Sequence, residues 1–103
     1  MPIATDIKTD NWNLCIKELT TDGWEMTFKY DEFDAGIDFD FIRLEKRNEK
    51  ILLGWDNWVE GEIKAQEKHF DYLTGKTGIE FNFGKPVNLK ASIIAMYDRP
   101  SAR

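Results

Sequence analysis

Five carboxylates, Asp31, Glu32, Asp34, Asp38 and Asp40, fall within ten residues, and a second acidic run, Trp55-Asp56-Asn57-Trp58-Val59-Glu60 followed by Glu62, is threaded with indoles. Carboxylates in this density can hold a hard cation, since Ca²⁺ and Mg²⁺ prefer oxygen ligands. They can form a general acid and base pair if burial raises one pKa. They can also dock a positively charged surface. Asp38 and Asp40 would share one strand face about 7 Å apart, but the Asp-x-Asp-x-Asp-Gly pattern with its distal glutamate is absent, so no metal site is expected. A catalytic pair from Asp38, Asp40, Asp56, Glu60 or Glu62 would need a buried carboxyl in a cleft. Tryptophan beside acids fits the third use: a large rigid ring is desolvated in an interface at small entropic cost, and carboxylates speed encounter with a basic partner. The expected binding surface is Asp34, Asp38, Asp40, Trp55, Asp56, Trp58, Glu60 and Glu62, with one indole in the core and the other either at the core's margin or exposed in an interface.

Other chemistry is thin. His69 is the only histidine and Cys15 the only cysteine, far apart in sequence, and no Gly-x-Ser-x-Gly motif is present. Gly75-Lys76-Thr77 imitates the end of a phosphate-binding loop. That loop needs a glycine five positions earlier, where this chain has Phe70, and it follows a strand, whereas this segment follows an expected helix. No catalytic residue and no cofactor are expected.

The elements that position the two acidic runs read as a hairpin. Strands 37–45 and 51–59 flank a charged six-residue connection, Glu45 to Lys50, that holds Asn48. Near the connection both phases are apolar (Ile42 and Leu44 against Phe41, Ile51 and Leu53 against Leu52), so this end is expected to be covered on both faces at the centre of a sheet. Met1 to Asn11 reads as a loosely held start. Trp12, Leu14 and Ile16 recur at period two and predict a strand to Leu19, with Asp22-Gly23 as a hairpin tip. Trp24, Met26, Phe28 and Tyr30 then form the apolar phase of a second strand, which the turn Asp31–Gly36 joins to the third. Ile63, Phe70 and Leu73 lie on a helical stripe that predicts a helix over 65–74 ended by Gly75. Ile79, Phe81 and Phe83 predict an extended segment, and Leu89 to Tyr97, apolar on both phases, is read as a strand in preference to a short helix. The expected fold is α+β: an antiparallel meander of four or more strands with one helix packed on one face and C-terminal extended segments.

A chain of 103 residues with 42% hydrophobic content fits a single globular domain over 1–103 with its own core. One cysteine, no basic-plus-apolar leader and no apolar run of membrane-spanning length predict a soluble, cytoplasmic protein. The net charge of −5 is uneven, with 11 acids against 4 bases through Glu45 and 8 against 10 beyond it. A negative field disfavours nucleic acid and favours a basic protein. The leading functional expectation is a non-enzymatic protein-binding module, a small bacterial inhibitor or immunity-type protein. Two alternatives differ in what they require: a small-molecule module needs an apolar pocket between helix and sheet near Trp55 or Trp58, and a carboxylate enzyme needs a buried pair in a cleft.

Overall fold

Apolar residues on both strand phases have to be covered from both sides. The computed structural model describes residues 1–34 and 37–98, with the backbone alone for 31–34 and 37, and it supplies that cover. The elements are β1 (Ile3–Ile7), α1 (Thr9–Thr21), β2 (Glu25–Asp34), β3 (Ile37–Lys46), β4 (Glu49–Asp56), β5 (Glu60–Lys64), α2 (Glu67–Thr77), β6 (Asn82–Phe83) and α3 (Ala91–Tyr97). The strands form one antiparallel sheet in the order β2-β3-β4-β5-β1-β6. The fold is therefore α+β, with the expected four-strand meander displaced to β2–β5. Ile42, Leu44, Ile51 and Leu53 face one core layer with Trp12, Cys15 and Leu19 of α1 and Phe70 and Leu73 of α2. Phe41 and Leu52 face the other, with Leu89 and with Ile93, Ile94 and Tyr97 of α3.

The β3–β4 pairing runs from Phe39↔Asp56 to Lys46↔Glu49, so only Arg47 and Asn48 form the connection, with φ of 51° and 65°. Two successive left-handed residues give the turn whose twist suits a tight hairpin. The connection is thus shorter than the six residues expected.

Four other expectations are corrected. Residues 12–19 are helical: Trp12, Cys15, Ile16 and Leu19 fall at i, i+3, i+4 and i+7, and Leu14, which the strand reading placed with Trp12, is exposed. Asp22-Gly23 ends this helix instead of turning a hairpin. Gly23 (φ 98°) donates to Thr20 O and Trp24 N–H to Leu19 O, the paired bonds of a Schellman helix end. The start of the chain is likewise no frayed segment, because β1 lies between β5 and β6, with a bulge at Thr5–Asp6 where Asp6 takes φ 55°. Residues 91–97 are a helix and not a strand; Ile93, Ile94 and Tyr97 turn inward at i, i+1 and i+4.

Smaller shifts accompany these. A bulge between Met26 and Phe28 breaks the apolar phase of β2, so Trp24 joins the helix-side core while Phe28 and Tyr30 pack half-buried on the α3 side. β2 continues through Asp34, opposite Ile37, which places residues 35–36 of the expected turn outside the described residues. α2 runs past Gly75 to Thr77 and ends at Gly78 (φ 76°), whose N–H donates to Thr74 O. Only Asn82 and Phe83 of the extended 79–83 segment pair as strand.

α3 is fastened by charge. Buried Arg43 donates from Nη1 to Asp98 Oδ1 at 3.2 Å and from Nε to Thr27 Oγ1 at 2.8 Å, and Lys50 also bonds the Asp98 carboxylate. Burial alone would raise the Asp98 pKa, but the hydrogen bonds from Lys50 and Arg43 outweigh it and hold the carboxyl below its ordinary value. No helix among the described residues is long and apolar enough to cross a membrane.

Candidate functional site

The strand register brings most of the predicted surface to one end of β3, β4 and β5. Asp40 lies opposite Trp55, and Asp56 lies between Phe39 and Glu60. The side chains there have unequal duties. Asp56 is buried, and its Oδ1 accepts the N–H of Trp58 at 2.8 Å and of Val59 at 2.6 Å. An aspartate bonding the backbone two and three residues ahead builds its own turn. Asn57 Oδ1 accepts the Asp38 N–H at 3.0 Å and ties that turn to β3.

Trp58 projects from this turn at 73% exposure. Trp55 takes the opposite role: it packs half-buried against the helix-side core, and its Nε1 donates to Thr9 Oγ1 at 2.9 Å. The core indole and the exposed indole are therefore distinguished by strand phase and turn geometry. Asp38 is exposed and Asp40 half-buried, while the side chain of Asp34 lies outside the described residues.

Glu60, at φ 60°, sends its carboxylate to the start of α1. Oε1 accepts both the Thr9 N–H and the Thr9 hydroxyl at 3.0 Å. Lys8, at the N-cap, offers no side-chain cap, so Glu60 supplies from a distant strand the anion a helix N-terminus favours. The backbone bond from Thr9, then its side-chain bond, hold the Glu60 pKa below the ordinary glutamate value. A depressed folded-state pKa means the contact contributes fully above the unfolded-state pKa and is lost as pH falls through the depressed one. Glu60→Gln should therefore lower the urea midpoint at about pH 6, and the loss should shrink toward about pH 2 as the parent carboxyl takes up its proton. Equal losses at both pH values would show that charge is not what holds Thr9.

Glu62 does not join the others. It lies 2% exposed on the α3 side, where Oε1 accepts the N–H groups of Asn88 and Leu89, each at 2.9 Å, and Oε2 accepts that of Val87 at 2.8 Å. Asp56, Glu60 and Glu62 thus meet backbone donors, which offset much of the mutual repulsion their density implies. Of the predicted surface, Trp58 and Asp38 are exposed and Asp40 is half-buried beside them on β3.

The groups read as poor nucleophile candidates occupy other places. Cys15 lies in the core under α1, and burial pushes its thiol up to about 11, so it is protonated at neutral pH. His69 is edge-on to Trp24, with Nε2 3.0 Å from Glu49 Oε1. Gly75-Lys76-Thr77 forms the last turn of α2. No group of three or more His, Cys, Asp or Glu among the described residues is placed to hold a metal ion. Sequence reasoning passed over a cleft at the far end of β4 lined by Lys46, Arg47, Lys68 and His69. Its only local signal is a basic pair, Lys46-Arg47, at a tight turn.

The chain is an α+β domain presenting one exposed tryptophan on a fixed turn beside acidic strand residues. Compared with protein-family models, with curated proteins and with solved structures, it matches none.

Proposed function

We propose that this chain is a non-enzymatic protein-binding domain of the inhibitor or immunity type, which docks a basic partner through the Trp58 turn with Asp38 and Asp40 at its side. The observation that carries the reading is Trp58, 73% exposed on a turn held by Asp56 from within and by Asn57 to β3. Exposing a large ring forgoes the roughly 2–3 kcal/mol that its burial would contribute. Its backbone, however, is already fixed by the turn, so only the two side-chain torsions of the ring lose freedom when a partner covers it. The neighbouring carboxylates select a positive partner and speed its approach.

Affinity capture from the source cell with parent and Trp58→Ala baits, at low and high salt, tests this. The parent should retain a basic protein at low salt that the variant releases. Recovery of the same proteins by both baits would overturn the reading. A small-molecule module keeps some physical basis, since a cleft does open between α2 and the β3–β4 turn, although it borders Trp24 instead of Trp55 or Trp58.

A further inference from the structure

The end of β4 opposite Trp58 carries the reverse charge. A cleft of about 250 Å³ opens there between the α1–β2 turn, the β3–β4 turn and α2. Lys46, Arg47 and Lys68 line it in a chain whose net charge is −5. The two acids of the cleft are already engaged: Asp22 Oδ2 lies 3.1 Å from Lys46 Nζ, and Glu49 meets Lys68 Nζ at 3.1 Å and His69 Nε2 at 3.0 Å. What remains is positive. Arg47 has no ion pair among the described residues, and the lysines keep donors to spare. Lys46 Nζ uses two, on Asp22 O and Oδ2, and Lys68 Nζ uses one, of the three each carries.

Arg47 also stands where its residue type is unfavourable. The first position of this tight turn takes φ 51° and suits Asn, Asp or Gly, whereas a long side chain with a β-carbon is strained in that region. Strain retained at a residue that lines a cleft points to use of the side chain. The floor is firm, because Trp24 and His69 meet edge to face with centroids 4.9 Å apart.

We propose that this cleft binds a phosphate group carried by a small molecule or free as the inorganic ion. A guanidinium fork takes two phosphate oxygens at once, and the spare ammonium donors of Lys46 and Lys68 reach others of the tetrahedron. The volume admits such a group with a short appendage. The site rests on no part of the partner-binding reading, since it lies at the other end of β4 from Trp58.

The test is titration of the full chain with inorganic phosphate and, separately, glycerol phosphate, followed by NMR at the Trp24 indole and the His69 ring, with chloride at matched ionic strength as control. Both phosphates should give saturable shifts that chloride does not. Tighter binding of glycerol phosphate assigns a small monoester, and tighter binding of the inorganic ion assigns the free anion. Arg47→Gly, which relieves the left-handed strain, should raise the melting temperature yet weaken phosphate binding about tenfold, the loss of one charge-assisted contact. Trp58→Ala should bind phosphate like the parent. Shifts that fail to saturate, that chloride reproduces, or that persist with parent affinity in Arg47→Gly would overturn the proposal.

Discussion

Gly61→Ala should cost about 3 kcal/mol of stability, because the new methyl has no space. A β-carbon at this position would stand 2.4 Å from Trp12 Cδ1, 2.7 Å from Cγ and 2.9 Å from Cβ. Trp12 is buried and cannot swing away freely, since its Nε1 donates to Glu62 O at 3.2 Å and its ring lies in the helix-side core. The substitution must therefore push α1 off β5 and strand a buried indole donor. Chemical denaturation would show the loss, and the same change in a Trp12→Ala background should cost far less, giving a strong coupling in the double-mutant cycle. Additive losses would mean that the two residues do not confront each other.

Glu62→Gln should be almost as damaging, at about 3 kcal/mol. The parent carboxylate accepts three backbone N–H groups from Val87, Asn88 and Leu89, and an amide presents only one acceptor oxygen while its NH₂ faces a donor. At least one of these three N–H groups then loses its partner. Because those residues lead into α3, the damage should be local first: amide exchange should accelerate over 87–97 well before the β3–β4 hairpin loosens. Uniform acceleration across the sheet would show that Glu62 holds the whole fold and not this segment.

The centre of the sheet was legible because Ile42 and Leu44 against Phe41, and Ile51 and Leu53 against Leu52, carry their two-sided burial in their own alternation. The first helix was not, because Trp12, Leu14 and Ile16 satisfy period two as well as Trp12, Cys15, Ile16 and Leu19 satisfy the helical period. The outcome turned on a cysteine that is fully buried and on an Asp-Gly pair that suits a helix end as well as a hairpin. β1 was hidden for a different reason, since its partners, Gly61, Ile63 and Lys64, are far along the chain.

The site divided along the same line. That acids and indoles converge at one end of the sheet followed from spacing. Which of them serve the fold depended on donors remote in sequence, with Thr9 for Glu60 and residues 87–89 for Glu62. Trp55 is half-buried by its phase on β4, whereas exposure of Trp58 depended on a turn that Asp56 closes, and the side chain reaching two residues forward leaves no trace in hydrophobic periodicity.

The most direct test of the proposed docking surface is the kinetics of a basic partner recovered by affinity capture, on parent, Trp58→Ala and Asp38→Asn/Asp40→Asn proteins, measured across a range of salt. Trp58→Ala should speed dissociation about tenfold or more with association little changed, as expected for a central aromatic contact. The double asparagine variant should associate more slowly and with a flatter dependence on salt, while its dissociation stays near that of the parent. Parent-like association and dissociation rates in both variants would contradict the assignment of this surface.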